Sequence, residues 1–128
     1  MRLLLDTQAL IWWLEDDPRL SAAARRRISD PRNVILVSSA SAWEMATKVR
    51  LGRLRDPAGV VPRLSQILAE RGMTELPISV EHATLAGSLG GSHRDPFDRM
   101  LVAQSRIEDV PLVTNDRVFR QYEIETVW

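Results

Sequence analysis

The sequence predicts an α/β domain of three layers, in which helices cover both faces of a mostly parallel central sheet of four to five strands. Short apolar runs alternate with helical patterns along the whole chain. The length of 128 residues suits one ordinary domain, and the apolar fraction of 45% is typical of a globular protein. Because no repeat or linker interrupts the pattern, we expect residues 1–128 to form a single domain.

Five short segments have the composition of strands. The first, Arg2–Leu5, is an apolar run that Asp6 ends. The second, Val34–Val37, is rich in β-branched residues and lies between turn residues. Pro77 predicts that the third forms a sheet edge or a strand end, because proline cannot donate a ladder hydrogen bond. The five predicted strands are 2–5, 34–37, 75–78, 111–113 and 124–128.

Helical patterns separate these strands. The pattern that precedes Gly90 and Gly91, for example, ends at a typical stop signal. One helix carries an apolar stripe formed by Ala42, Met45, Ala46 and Val49. The predicted helices cover 7–14, 21–28, 39–50, 60–69, 80–89, 96–107 and 115–120.

Charge and cysteine content exclude several classes of protein. Seventeen basic residues balance seventeen acidic ones, which counts against a general nucleic-acid-binding protein. The absence of cysteine excludes disulfides, thiolate metal sites and cysteine nucleophiles, and it is typical of a cytoplasmic protein, which we expect here. No apolar run reaches the roughly 18–20 residues of a membrane span, so we expect no membrane association.

Four acidic residues lie at or near the start of predicted helices. Asp6 and Asp116 follow strands directly, whereas Glu44 and Asp98 lie in the first turns of helices. Parallel strands all end at one edge of a sheet, so the four carboxylates are expected at one rim, where such folds bind ligands. Crowded carboxylates raise one another's pKa, and a hard divalent cation relieves the repulsion. An oxygen-only donor set predicts Mg²⁺ or Mn²⁺ rather than zinc.

Each acid taken alone has a simpler interpretation. Acidic residues stabilise helix N-termini. Asp95 is an expected N-cap, and Asp98 lies three residues later, as in a capping box. Ser41 and Glu44 have the same spacing, while Glu44 and Lys48 suit an i,i+4 ion pair. Only the joint placement of the acids favours a metal site.

The histidines and three arginines have alternative roles. We expect His82 on a helix surface, and His93 beside the rim, where it contacts substrate or caps a loop. Arg94, Arg99 and Arg117 flank the rim and are candidate RNA phosphate contacts. Shielding of the acids by surface ion pairs explains the three arginines equally well.

Several motifs resemble those of PIN-domain proteins of the VapC type, which are ribonuclease toxins of type II toxin–antitoxin modules. The most specific is His93–Arg99, and the resemblance spans nearly the whole chain in the right order and spacing. Gln8 is a departure, since many such proteins have histidine there. The other motifs are Leu4–Thr7, Trp12-Trp13, Ser41–Lys48, Leu51–Leu54, Met100–Gln104 and Leu112–Asp116.

The resemblance implies a PIN-like α/β/α fold and an Mg²⁺- or Mn²⁺-dependent endoribonuclease, in which a metal-activated water attacks an RNA phosphate. Asp6 and Asp98 would ligate the metal directly, and Glu44 and Asp116 would complete the site or bind through water. The family also implies an RNA substrate, a cognate antitoxin whose peptide lies across the active groove, a homodimer and a larger toxin–antitoxin complex. The secondary positions implied are Asp95, Thr114 and Ser38.

Two other function classes stay open. An aspartyl-phosphate receiver or phosphotransferase would use Asp6 as phosphoacceptor, but no acidic pair precedes Asp6. A catalytically silent PIN-like binding module would keep the fold without the chemistry, but the intact set of four acids argues against it. Trp12 and Trp13 point about 100° apart on a helix, so we expect one to be buried and the other to lie at an interface, where it is a candidate antitoxin contact.

Overall fold

A computed structural model describes all 128 residues and contains a five-stranded sheet. Its strands are β1 (Arg2–Leu5), β2 (Val34–Ser38), β3 (Thr74–Leu76), β4 (Leu112–Val113) and β5 (Thr126–Val127). The strand order is β3-β2-β1-β4-β5, and every pairing is parallel. The predicted α/β class is therefore confirmed, and the sheet is wholly rather than mostly parallel.

Six α-helices lie between the strands: α1 (Thr7–Leu14), α2 (Ala22–Ser29), α3 (Ser39–Arg50), α4 (Leu64–Glu70), α5 (Val80–Ser88) and α6 (Pro96–Glu108). The segment predicted as one helix over 60–69 begins as a 3₁₀ turn at Val61–Arg63, where Pro62 lacks the N–H of a regular helix. The helix predicted at 115–120 is a 3₁₀ turn over Arg117–Gln121. None of the helices is long and apolar enough to cross a membrane.

Strand β1 lies at the centre of the sheet and divides the core into two halves. Leu3 and Leu5 pack into one apolar cluster and Leu4 into another, because side chains alternate along a strand. The first cluster includes residues of α1, α2 and α4, and the second includes Leu101 of α6 and Phe119. Helices therefore cover both faces of the sheet, as predicted.

Strand β3 is an edge strand that ends at Leu76, immediately before Pro77. Both predictions from Pro77 are therefore met. Proline lacks the N–H that would extend the ladder, so the chain leaves the sheet at this point and enters α5.

The prediction that His82 lies on a surface is wrong, because only 2% of the residue is exposed. Helices α5 and α6 pack against each other, and His82 lies between them with Nε2 3.3 Å from Oε1 of Glu108. Its Nδ1 accepts the backbone N–H of Ser79, and Ser79 Oγ accepts the backbone N–H of His82. His82 is thus a capping-box residue of α5.

Trp12 is the buried member of the tryptophan pair. Its ring meets Trp128 edge-on at 5.9 Å, and the guanidinium of Arg19 lies 5.1 Å from its ring centroid. Trp13 is half-buried and packs against the same core. A contact between Trp13 and a partner protein stays a prediction.

Candidate active site

The four predicted acids lie at the carboxyl-terminal edge of the sheet, and we call them the acidic rim. Asp6 follows β1 and is the N-cap of α1, and Asp116 caps the 3₁₀ turn that follows β4. Glu44 lies in the second turn of α3, and Asp98 lies in the first turn of α6. The rim forms because α1, α3 and the 3₁₀ turn each begin where a parallel strand ends, and α6 begins close to the same edge of the sheet.

Asp6 is buried at the centre of the rim, with 6% of the residue exposed. Burial raises the pKa of Asp6 from 3.8 to about 6, and the negative charges of Asp98 and Asp116 add to the rise. Hydrogen bonds oppose that rise: Thr114 donates to the carboxylate, and the backbone N–H of Ala9 donates to Oδ1 at 2.6 Å. Asp6 is therefore a carboxylate that the fold orients firmly but solvates poorly.

Asp98 is the second acid with a raised pKa. Burial raises the pKa of Asp98 to about 6, the charges of Asp95 and Glu44 add to the rise, and a hydrogen bond from His93 opposes it. His93 Nε2 lies 2.8 Å from Asp98 Oδ2. Asp95 Oδ1 accepts the N–H groups of Phe97 and Asp98, which is one half of the expected capping box. The other half is absent, because the carboxylate of Asp98 contacts His93 and accepts no backbone N–H of Asp95. His93 therefore lies beside the rim, as predicted, where it orients Asp98; a contact with substrate stays a prediction.

Glu44 is buried, and its two oxygens differ in their contacts. Oε2 lies 2.8 Å from Nζ of Lys48, so the predicted i,i+4 pair is present. Oε1 is buried without a hydrogen-bond partner. A buried carboxylate oxygen without a partner is costly, typically about 1–3 kcal/mol or more. The capping-box interpretation of Ser41 and Glu44 is not observed, because Ser38 is the N-cap of α3.

Small hydroxyl residues connect the rim. Thr114 donates to Asp6 and accepts the backbone N–H of Asp116 at 3.0 Å, so it joins the ends of β1 and β4. Thr7 Oγ1 donates to Ser41 Oγ at 2.9 Å, which links the starts of α1 and α3. The sequence analysis did not predict the hydrogen bond between Thr7 and Ser41. The available signal was that Thr7 adjoins Asp6 and that Ser41 lies one helical turn before Glu44.

The three flanking arginines have different roles. Arg99 is committed to the protein, because its guanidinium donates to the carbonyl oxygens of Ala86, Leu89 and His93. Arg99 therefore fixes the loop before α6, which corrects its assignment as a phosphate contact. Arg94 and Arg117 are exposed and form no ion pair. None of the three shields a rim acid in an ion pair.

The donor chemistry of the acidic rim fits Mg²⁺ or Mn²⁺, since all donors are oxygens and the orphaned Oε1 of Glu44 lacks a partner. No three acidic or histidine side chains, as they stand, meet closely enough to hold one ion. Neighbouring carboxylates repel, and each takes a local partner: Glu44 takes Lys48, Asp98 takes His93 and Asp116 takes the backbone of Val118. The rim is a set of neighbouring donors rather than a closed cage.

Comparison with known proteins identifies the family. The family model described as PIN domain matches residues 3–125. Ribonuclease VapC22 of Mycobacterium tuberculosis (strain ATCC 25618 / H37Rv) is 33% identical over 129 residues, which cover 98% of this chain and 97% of that protein. The chain belongs to the PIN-domain family. Within this PIN family its relatives are of the VapC type, which confirms the resemblance seen in the sequence.

A second relative of this PIN domain matches over a shorter stretch. Ribonuclease VapC16 of the same organism is 41% identical over 73 residues, which are 54% of this chain and 50% of that protein. The match therefore spans about half the length of VapC16.

Solved structures share the PIN fold of this chain. The VapBC2 complex of Rickettsia felis, bound to a DNA fragment from its promoter, has a TM-score of 0.72 at 17% identity and covers 100% of this chain and 98% of that chain. VapBC-1 of nontypeable Haemophilus influenzae has a TM-score of 0.68 at 19% identity, and the match covers 94% of this chain and 91% of that chain. These matches confirm the three-layer architecture.

Proposed function

We propose that this PIN domain is an endoribonuclease that hydrolyses RNA phosphodiesters with Mg²⁺ or Mn²⁺. The acidic rim carries the proposal, because it combines buried Asp6 and Glu44 with Asp98, and the pKa of Asp6 and of Asp98 is raised to about 6. Such clustering of like charges is typical of functional sites. The names of the relatives VapC16 and VapC22, both ribonucleases, support the same reaction class.

The four rim residues would have different roles in binding the ion. Asp6 and Asp98 would hold the ion directly, and Glu44 and Asp116 would complete the site or bind through water. When bound, such an ion supplies a water of lowered pKa and offsets the charge that builds on phosphorus. The reaction is an in-line displacement that leaves a 3′-hydroxyl and a 5′-phosphate.

Other side chains orient the ligands and the substrate. Thr114 holds Asp6, His93 holds Asp98, and Lys48 holds one oxygen of Glu44 while leaving the other free. The exposed guanidinium groups of Arg94 and Arg117 are suited to RNA phosphates, because arginine pairs with phosphate in a bidentate geometry. Asp95 acts as the cap that starts α6, and Ser38 as the cap that starts α3.

We propose that the protein is the toxin of a toxin–antitoxin module and that an antitoxin neutralises it. Support comes from the structural neighbours, which include the VapBC2 and FitAB complexes, each bound to DNA. We expect a homodimer and a larger toxin–antitoxin complex. Strong expression of this chain alone should arrest growth, and a small neighbouring gene product should relieve the arrest.

The receiver interpretation has less support. Asp6 is buried, and its carboxylate accepts hydrogen bonds from Thr114 and Ala9, so it is poorly placed to accept a phosphoryl group. Incubation with acetyl phosphate should therefore yield no labile phosphoaspartate.

The direct test uses purified protein freed of any antitoxin. We expect RNA cleavage with Mg²⁺ or Mn²⁺ and none in excess EDTA, with the cut ends mapped by sequencing. Full activity in EDTA would contradict metal dependence. The absence of cleavage with either metal would favour the silent binding module.

A further inference from the structure

An aromatic pair lies beside the acidic rim and takes no part in the mechanism above. Trp43 directly precedes Glu44, and Phe97 directly precedes Asp98. Their rings meet edge to face, with centroids 4.9 Å apart and planes 81° apart. Trp43 is 60% exposed, which is unusual for the largest apolar side chain. Phe97 therefore braces a tryptophan ring that remains open to solvent.

The pair borders a cavity of about 270 Å³ between α3, α5 and α6. Its floor is apolar, with Ile78 and Met100 among the lining residues. Arg94 stands at its side as an exposed cation without an ion pair. The cavity thus combines an open aromatic ring, an apolar floor and a positive charge.

We propose that Trp43, Phe97 and this cavity form a subsite for one nucleobase of single-stranded RNA, next to the phosphate that is cleaved. The proposal rests on the proposed ribonuclease function. Trp43 and Phe97 each adjoin a rim acid in sequence, and adjacent helical side chains point about 100° apart, so the aromatic pair lies to one side of the rim. A nucleotide whose phosphate lies at Glu44 and Asp98 would direct its base towards that side. Unpaired bases stack on aromatic side chains, and Arg94 is placed for a neighbouring phosphate.

Charge favours RNA over a protein partner on this surface. The surface carries Arg94, which forms no ion pair with a rim acid, and its two aromatic residues directly precede two of the carboxylates proposed to hold the ion. A polyanion bearing flat aromatic groups matches both features. A purely apolar partner would leave Arg94 without a counter-ion at the edge of the contact. The alternative occupant, a second copy of the chain, is an outcome of the test below.

The test compares Trp43→Ala, Trp43→Phe and the control Leu51→Ala, which removes another exposed apolar side chain at the end of the same helix. The substrate is a single-stranded RNA oligonucleotide cut by the parent protein, with matched oligonucleotides that lack one base on either side of the cut. We expect Trp43→Ala to lower kcat/KM roughly 5- to 150-fold, since stacking contributes on this scale. Trp43→Phe should recover part of the loss, and Leu51→Ala should behave like the parent.

The decisive comparison is between removing a base from the RNA and removing the ring of Trp43 from the protein. In the parent, removal of one flanking base should cost as much as Trp43→Ala, and Trp43→Ala should be insensitive to that removal. Equal losses by Trp43→Ala on intact and abasic RNA would overturn the proposal. So would a change of molecular mass in light scattering that accompanies the loss, because the surface would then be an interface between copies.

Binding separates this proposal from the function on which it rests. Fluorescence anisotropy of a labelled oligonucleotide in EDTA reports the subsite without cleavage. If the parent cuts no RNA but binds the intact strand at least fivefold more tightly than Trp43→Ala does, the nuclease proposal fails and the base subsite stands. If the parent cuts RNA while Trp43→Ala cuts and binds like it, only the subsite proposal fails.

Discussion

Aspartates in two regions of this molecule have pKa values displaced in opposite directions. At the carboxyl edge of the sheet, burial raises the pKa of Asp6 and of Asp98 to about 6. In surface turns, hydrogen bonds from Arg19 and Arg32 lower the pKa of Asp17 and of Asp30 to about 2. The chemical group is the same, so the surroundings alone cause the difference.

The comparison shows where the fold contains carboxylates whose ionised form is unfavourable. Each turn aspartate has its own arginine two residues later, and the hydrogen bonds from that arginine make the charged form favourable. The rim aspartates lie near other carboxylates and have lost solvent, so their charged form is unfavourable. A site of this kind is destabilising unless a ligand compensates it, and it thereby marks the functional region.

The largest expected effect is on catalysis. Asp98→Asn should lower RNA cleavage by orders of magnitude while the circular dichroism spectrum stays unchanged, because asparagine fills the same volume without the charge. Asp30→Asn is the matched control from the surface turns and should cleave like the parent. Cleavage by Asp98→Asn at the parent rate would mean that Asp98 is a structural residue.

Metal binding should stabilise the parent. A ligand that binds only the folded state stabilises it by about 2.7 kcal/mol at a hundredfold excess over its dissociation constant. We expect Mg²⁺ to raise the thermal midpoint of the parent relative to EDTA, and to raise that of Asp98→Asn much less. An equal rise in both proteins would indicate that Mg²⁺ binds away from the rim.

The pH dependence of stability should reveal the strain at Asp6. Its folded-state pKa of about 6 exceeds the ordinary 3.8, so between these values the folded protein binds a proton that the unfolded chain releases. The free energy of unfolding therefore falls as pH rises from about 4 to 6. Asp6→Asn lacks this loss and keeps an oxygen for Ala9 and Thr114.

In EDTA, we expect Asp6→Asn to be more stable than the parent by roughly 1–2 kcal/mol at pH 7. That gain should shrink towards zero at pH 4, where Asp6 of the folded parent is itself protonated. Urea unfolding of both proteins at each pH measures it. A gain that is constant across the pH range would show that the charge of Asp6 is not its cause.

The smallest effect should come from the surface turns. The depressed pKa of Asp30 means that its contribution to stability is present above about pH 4 and is lost as pH falls through about 2. Because Asp30 and Arg32 pair in water, Asp30→Asn should barely move the thermal midpoint at pH 7. A large shift would show that the turn before β2 depends on this pair.

Elements defined by local pattern were predicted well from the sequence. β1, α1 and α3 have their predicted bounds, because apolar runs and polar caps specify them locally. The acidic rim also followed from the sequence, since parallel topology brings strand ends together. Strand ends near Pro77 and the 3₁₀ turn at Pro62 differ by a few residues, because proline constrains the backbone more than the pattern shows.

Contacts between distant side chains could not be predicted. The burial of His82 depends on how α5 packs on α6; the available signal was that Leu85, Ala86 and Leu89 continue the His82 face at helical spacing. The sequence suggested that Arg99 was free to bind phosphate, but in the structure its guanidinium donates to backbone carbonyl oxygens before α6. Ala46 was assigned to an apolar stripe but is exposed, because the helix face that packs is narrower than the stripe.

The central position of β1 governs when the acidic rim is assembled during synthesis. Asp6 leaves the ribosome early, but Thr114 and Asp116 join it only after β4 has paired with β1. Contacts of such long sequence separation form late in folding. A nascent or prematurely terminated chain that lacks β4 therefore cannot bring Thr114 and Asp116 to Asp6, and the proposed activity would begin only once translation has passed the last of the four acids.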